Sequence, residues 1–132
     1  MSDPAGGEPT PRALVIGHAD FAQGLISAVD QITGRGNLLV GLSIAGMAPK
    51  QMEEAVAAHL RKGVQVIFTD LPGGSATTCS RRVCGVLQGP VVVSGVNLPT
   101  LLEFVLSADL SPADAERAAE RGRGTLGVYG AR

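Results

Sequence analysis

The chain has 132 residues, of which 45% are hydrophobic and 17% charged, and its formal net charge is −1 at pH 7. This length suits one domain with one core, and the composition is that of an ordered globular protein. Basic residues cluster no further than the pair Arg81-Arg82, which argues against a nucleic-acid binder. Because no apolar stretch approaches the ~20 residues that span a bilayer, we expect a cytoplasmic protein.

The N-terminal segment, residues 1–11 (MSDPAGGEPTP), is predicted to be a disordered extension of a domain that covers residues 12–132. The domain begins with a strand over residues 13–17, an apolar run suited to burial on both faces of a parallel sheet. A helix follows, because apolar residues recur at helical spacing from Phe21 onward and Gly34 supplies a left-handed C-cap.

The same strand-then-helix unit repeats along the rest of the chain. The three further predicted strands cover residues 38–44, 64–69 and 91–96. The further helices are predicted from Pro49 to the RKG at residues 61–63, from Ala76 to Leu87, from Pro99 through Leu106, and after Ser111, with Asp114 completing a capping box. This alternation over short connections predicts an α/β fold with a mainly parallel central sheet and helices on both faces.

The two cysteines, Cys79 and Cys84, are too few for a disulfide framework, and their spacing matches no common metal motif. On a helix they lie about 140° apart, so they are predicted to be reduced thiols. Cys79 is placed in an apolar stripe with Val83, Val86 and Leu87. Neither a metal nor a cofactor is predicted.

Two other patterns are interpreted as structural. Residues 122–127 (GRGTLG) fit the dinucleotide pattern G-x-G-x-x-G, but they follow a helix instead of a strand, which indicates a chance match. His59 lies in the last turn of the second helix, where an imidazolium would complement the helix dipole.

Polar side chains that could take part in a reaction follow two of the predicted strands. His18 comes directly after the first strand and before a helix, where backbone N–H groups and the helix dipole favour an anion such as phosphate. Asp70 ends the third strand, and adjacent central strands could bring its carboxylate to the imidazole. A carboxylate that accepts a hydrogen bond from one ring nitrogen leaves the other nitrogen with a lone pair for attack. Each residue taken singly also has an ordinary interpretation, as a loop histidine and a helix-capping aspartate.

The loop after Asp70, residues 71–77 (LPGGSAT), supplies a third part of the predicted site. Gly73 and Gly74 allow close backbone approach, and Ser75 could donate its hydroxyl and amide to phosphoryl oxygens. Alone, such a loop is an ordinary strand-to-helix connection. Beside His18 and Asp70 it indicates a phosphoryl-transfer site.

Three segments, VIGHADFAQGL, IFTDLPGGSA and VSGVNLPTLLEFVL, together resemble a known family in order and spacing. The family is the IIA component of the mannose family of the bacterial phosphoenolpyruvate-dependent sugar phosphotransferase system. The segments TDLPGG and GVNLPTLLE most resemble the N-acetylgalactosamine-type branch of this family, and the similarity spans roughly residues 12–130. The resemblance implies a doubly wound α/β fold, flavodoxin-like in general architecture, and a homodimer.

The resemblance also implies a phosphoryl relay. His18 would take phosphate through Nε2 from the phosphocarrier protein HPr and pass it to a IIB component, which phosphorylates the incoming sugar. Asp70 would hold Nδ1 and Ser75 would bond the phosphoryl group, within the loop of Gly73 and Gly74. Contact with the membrane would be indirect, through IIC and IID partners. Ala76 stands where members of the family commonly have proline, so this loop is expected to be less rigid.

Three alternatives remain at the level of sequence. One is a regulatory module that uses phospho-His18 only to control partners. Another is the related phosphotransfer subunit of dihydroxyacetone kinase. A receiver-type signalling domain would need an acidic pair after the first strand to hold Mg²⁺, where this chain has Gly17-His18. The sequence does not identify the transported sugar, because a IIA component contacts proteins and never the sugar itself.

Overall fold

The sheet is built from four parallel strands within the part of the chain that the structure describes. The computed structural model describes residues 10–130, so residues 1–9 of the predicted extension and residues 131–132 lie outside it. The strands are β1 (Ala13–Gly17), β2 (Leu39–Ser43), β3 (Val66–Thr69) and β4 (Val91–Ser94). Hydrogen bonding orders them β2-β1-β3-β4, which places β1 and β3 at the centre. The predicted parallel sheet is confirmed.

Five helices and a short 3₁₀ helix connect and follow the strands in residues 10–130. They are α1 (Phe21–Thr33), the 3₁₀ helix (Gly36–Leu38), α2 (Pro49–Arg61), α3 (Ser75–Cys84), α4 (Leu98–Val105) and α5 (Pro112–Arg123). Helix α1 ends as predicted, at Gly34 in the left-handed conformation with φ 73°. Helix α5 begins with the predicted capping box of Ser111 and Asp114. Over the described residues, none of the helices has the length and apolar character needed to cross a bilayer.

Two buried clusters, one on each face of the sheet, hold the helices. Side chains alternate along a strand, so Val15 and Phe68 join the cluster formed with α1, α4 and α5. Ile16 and Ile67 join the cluster formed with α2 and α3. Phe68 packs edge to face on Phe104 of α4, with ring centroids 5.2 Å apart. The prediction of helices on both faces is confirmed.

Strands β2, β3 and β4 are shorter than predicted, because burial continues beyond strand pairing. Ile44, Val64 and Val96 are only 9%, 2% and 6% exposed, yet they lie just outside the strands. An apolar pattern reports burial, so it extended the predicted strands into loops that fill the core. At the start of β2, Leu38 belongs instead to the 3₁₀ helix.

Helix α3 ends earlier than predicted, which corrects the expected apolar stripe. It stops at Cys84 with Gly85 as its C-cap, so Val86 and Leu87 lie outside the helix and are 82% and 49% exposed. They are not part of the buried cluster that contains Cys79. Both cysteines are buried and free, as predicted, and burial raises the pKa of each thiol.

The match to the dinucleotide pattern at residues 122–127 begins in the last turn of α5 and does not follow a strand. A Cβ at Gly122 would lie 1.8 Å from Thr100 Oγ1 on α4. This glycine is therefore required by the close packing of α5 against α4.

Candidate active site

The candidate site lies at the carboxyl edge of the two central strands. Strands β1 and β3 are parallel neighbours, with Ile16 paired to Thr69 at their ends, so the residues that follow emerge side by side. The order β2-β1-β3-β4 also reverses direction between β1 and β3, and this is where ligands bind in open α/β sheets. The two residues that leave these strands into the site are His18 and Asp70.

The structure brings His18 and Asp70 into direct contact. Asp70 Oδ2 accepts a hydrogen bond from the backbone N–H of His18 at 2.9 Å and lies 2.7 Å from His18 Nδ1. A carboxylate can only accept, so Nδ1 carries the hydrogen and Nε2 keeps its lone pair. Within residues 10–130, Nε2 has no hydrogen-bond partner, and the imidazole is 57% exposed whereas the Asp70 side chain is 8% exposed. The arrangement is an exposed imidazole held by a buried carboxylate, a geometry that suits a nucleophile.

The electrostatics keep that carboxylate ionised. Burial raises the pKa of Asp70. The hydrogen bonds from the side chain and backbone of His18, together with the coulombic effect of its ring, lower that pKa by more than burial raises it, so the pKa lies below the ordinary value. The other carboxylate oxygen, Oδ1, is buried with no hydrogen-bond partner in the described part of the chain. The interaction with the imidazole therefore rests on Oδ2 alone.

Gly17, the last residue of β1, makes this contact sterically possible. A Cβ at Gly17 would lie 2.9 Å from both Cγ and Oδ2 of Asp70 and 3.0 Å from the ring of Phe21. Any larger residue would therefore displace the carboxylate that holds His18. This role of Gly17 was not predicted, although a glycine immediately before the histidine is visible in the sequence.

The turn between β1 and α1 contains a strained residue. Ala19, which follows His18, has φ 46°, in the left-handed region that non-glycine residues rarely adopt. The turn is closed by the backbone N–H of Phe21, which donates to the carbonyl of His18 at 3.0 Å. Backbone strain of this kind concentrates at functional sites.

The loop after β3 brings a helix N-terminus beside the imidazole. Residues 71–74 form a turn closed by the Gly74 N–H and the Leu71 carbonyl at 3.3 Å, and a Cβ at Gly74 would lie 3.7 Å from His18 Cε1. Helix α3 starts at the next residue with no side-chain cap, so its first backbone N–H groups are free to bind an anion. The sequence predicted this role for the N-terminus of α1 as well as for the Ser75 amide. That helix begins three residues after His18, and the acidic residue Asp20 at its N-cap disfavours an anion there.

Ser75 is the first residue of α3, and its side chain is exposed. In the described part of the chain its hydroxyl bonds neither His18 nor Asp70. It lines a groove with Gly73 and Arg82 immediately beside the loop. The predicted third member of the site therefore makes no contact with the His18–Asp70 pair, and its hydroxyl faces the groove.

The second histidine of the chain, His59, lies away from this site. It is partly buried in α2, and its pKa is lowered, first by burial and second by the positive charge of Lys62. Burial therefore disfavours the imidazolium that would complement the dipole at the end of α2. Across residues 10–130, no three His, Cys, Asp or Glu side chains are grouped so as to hold a metal ion.

The fold and the site define a small α/β domain built around one exposed, carboxylate-held imidazole. A family model described as the PTS system fructose IIA component matches residues 12–120, and the chain belongs to this family of phosphotransferase system components. No curated protein sequence matches the chain.

Solved structures show the same fold. The mannose/sorbose specific IIA subunit from Enterococcus faecalis is 18% identical with a TM-score of 0.78, covering 94% of this chain and 98% of that one. The PTS IIA protein associated with the fucose utilization operon from Streptococcus pneumoniae is 24% identical with a TM-score of 0.76, covering 90% and 93%. The component EIIA from Streptococcus agalactiae is 23% identical with a TM-score of 0.74, covering 88% and 95%. The predicted IIA fold is confirmed.

Proposed function

We propose that this chain is a phosphoryl carrier of a sugar phosphotransferase system. His18 accepts phosphate from phospho-HPr and passes it to a IIB component, which phosphorylates the incoming sugar. The observation that carries the proposal is the 2.7 Å contact between Nδ1 of His18 and Oδ2 of Asp70, which leaves Nε2 free.

In the forward step, the Nε2 lone pair attacks the phosphorus atom of the donor. A bond forms between Nε2 and phosphorus, the bond between phosphorus and the donor atom breaks, and its electron pair stays with the donor. Because Nδ1 keeps its hydrogen, the phosphorylated ring carries a positive charge. The ionised Asp70 stabilises that charge, as a carboxylate does for an imidazolium.

The start of α3 is proposed to receive the phosphoryl oxygens. Ser75 offers its hydroxyl, the free N–H groups of the first helical turn offer further donors, and the backbone at Gly73 and Gly74 allows close approach. These donors lie on the loop whose Gly74 is next to His18 Cε1. Removing one such donor in Ser75→Ala is expected to slow transfer roughly tenfold to a hundredfold.

The partners follow from the same proposal. The chain would act in the cytoplasm with HPr and IIB, and would meet the membrane only through IIC and IID. The segments TDLPGG and GVNLPTLLE support assignment to the N-acetylgalactosamine-type branch. Transfer to IIB proteins of this branch, compared with those of mannose-type systems, tests that assignment; equal rates to both would contradict it.

A homodimer is also part of the proposal. Leu101, Phe104 and Val105 of α4 are buried in the protein's own core, so they offer no surface to a second chain. What supports association is the half-buried edge strand β4 and the residues after α5. Leu126 and Val128 there are 88% and 98% exposed. Light scattering at micromolar concentration is expected to give twice the chain mass, and a monomer would contradict the dimer.

The test of the relay is phosphorylation by the purified cascade. Incubation with phosphoenolpyruvate, Enzyme I and HPr is expected to add one acid-labile, base-stable phosphate per chain. His59→Ala is the matched control, since it removes the other histidine and should keep the label, whereas His18→Ala should lose it. Full labelling of His18→Ala would overturn the proposal.

A second stage separates the carrier from the alternatives. Labelled protein is mixed with IIB, or with the remaining subunits of a dihydroxyacetone kinase. Loss of label to IIB supports the carrier function. A label that IIB cannot remove would favour a regulatory module, and transfer to dihydroxyacetone would favour the kinase subunit.

A further inference from the structure

Two buried threonines join the two ends of the loop that follows β3. Thr69 is the last residue of β3 and is 0% exposed, and Thr77 lies in the first turn of α3 and is 2% exposed. Their Oγ1 atoms are 2.6 Å apart. Thr77 Oγ1 also bonds the carbonyl oxygen of Leu71, within the loop itself.

The direction of these hydrogen bonds follows from counting protons. A threonine hydroxyl has one hydrogen, and a carbonyl oxygen can only accept. Thr77 must therefore donate to Leu71, so its oxygen accepts the hydrogen of Thr69. The chain of bonds runs from Thr69 through Thr77 to the Leu71 carbonyl, which also accepts from the Gly74 N–H at 3.3 Å.

Asp70 lies between the two residues that this hydroxyl holds. Its preceding neighbour Thr69 and its following neighbour Leu71 are both bonded to one atom, Thr77 Oγ1. The backbone on each side of Asp70 is thereby fixed, and its carboxylate must reach Nδ1 of His18 at 2.7 Å. In the next turn Pro72 fixes its own φ, but Gly73 and Gly74 leave the rest of the turn unrestrained, so the bonds of the Thr77 hydroxyl add a restraint there.

We propose that Thr77 is a positioning residue for the phosphoryl-transfer site. Its hydroxyl, with Thr69 as donor, holds Asp70 and the 71–74 loop in the geometry that keeps the hydrogen on Nδ1 of His18. The effect on transfer rate rests on the proposed function, whereas the effect on the His18 tautomer does not.

The experiment compares three variants of the full chain. Thr77→Val removes the hydroxyl and keeps the branched shape, and Thr77→Ser keeps the hydroxyl. Thr125→Val is the matched control, because Thr125 is exposed, lies after α5 and away from this loop, and its hydroxyl also donates to a backbone carbonyl, that of Gly122, at 2.7 Å. Long-range ¹H–¹⁵N spectra of His18 report the fraction of ring with hydrogen on Nδ1, and rapid quench reports the rate of transfer from phospho-HPr.

We expect Thr77→Val to lower the Nδ1–H fraction and slow transfer about tenfold to a hundredfold, as for a lost buried hydrogen bond. Thr77→Ser and Thr125→Val should stay within about threefold of the parent rate, which is below the effect of one typical hydrogen bond. If Thr77→Val does not fold, the double variant Thr69→Val with Thr77→Val takes its place, since it leaves no unpaired hydroxyl.

A parent-like tautomer in the folded valine variant would overturn the inference, as would a serine variant that fails to restore the tautomer. Absence of phosphate on His18 in the parent chain would overturn the proposed function but not this inference. The tautomer spectra would still decide the role of Thr77.

Discussion

The two central strands and the two edge strands differ in burial and in what they carry. All residues of β1 and β3 are buried, whereas β2 and β4 are mostly half-buried or exposed. His18 and Asp70 follow the central strands, and no residue of the predicted site follows an edge strand. A contact that must hold at 2.7 Å is placed where the backbone is packed from both faces. The edges retain the freedom to meet another chain.

The largest expected effect removes the charge at the end of β3. Asp70→Asn keeps the shape but loses the negative charge that, on the proposed function, stabilises the phosphorylated ring and selects the Nδ1–H tautomer. Transfer from HPr and to IIB should slow by about 10³- to 10⁴-fold, the scale for such a carboxylate in other imidazole catalysts. Rapid quench measures both directions. Near-normal rates in a folded variant would mean that the carboxylate does not act through His18.

The next effect tests the close approach at the end of β1. Gly17→Ala puts a methyl group 2.9 Å from Asp70 Oδ2, so the carboxylate must move. We expect transfer to slow roughly tenfold to a hundredfold and stability to fall by about 1 to 3 kcal/mol. Urea unfolding and rapid quench measure the two effects.

Gly24→Ala in α1 is the matched control for that substitution. A Cβ at Gly24 meets nothing within 4 Å, so alanine there should raise stability by about 0.5 to 1 kcal/mol and leave transfer unchanged. Equal behaviour of the two alanine variants would show that close approach at Gly17 is unimportant.

Stability separates the central and edge strands directly. Val15→Ala in β1 removes fully buried methyl groups and should cost about 2 to 3 kcal/mol, whereas Val93→Ala in half-buried β4 should cost about 1 kcal/mol. Both values come from urea unfolding at low protein concentration. At high concentration the cost of Val93→Ala should rise if a second chain covers β4. Equal costs at low concentration would contradict the distinction between the strands.

The smallest effect lies outside the sheet, at His59 in α2. Because burial lowers the pKa of His59 in the folded state, the folded state binds fewer protons than the unfolded chain, whose histidine titrates at about 6.5. The protein therefore loses stability as the pH falls from that value toward the lower pKa of the folded state. His59→Gln should show a shallower loss of stability between pH 7.5 and pH 5.5 in urea unfolding. An unchanged slope would place His59 in a solvent-like environment.

Much of the fold was predictable because each element has a local cause. Apolar runs such as residues 13–17 indicated buried strands, and Gly34 and Ser111 marked helix ends through the backbone conformation and cap that they provide. Polar residues at the ends of the first and third strands indicated the site. These inferences need only the neighbouring sequence.

The remaining features depend on contacts between distant segments. The steric need for Gly17 appears only when Asp70 is placed beside it. The role proposed for Thr77 depends on a 2.6 Å contact with Thr69. Two threonines on either side of a loop do not indicate, from sequence alone, that their hydroxyls are in contact. The lowered pKa of His59 likewise follows from burial, which the helical pattern of the sequence did not show.

The two halves of the site are 52 residues apart in the chain, and this separation links function to the order of folding. A nascent chain that has made β1, α1 and β2 has its imidazole but no carboxylate to hold it. Closing the long loop between β1 and β3 is a non-local step, and such steps govern the slow part of folding. The Nδ1–H form of His18 is thus a reporter of completed folding, and partly folded chains lack the means to orient the ring.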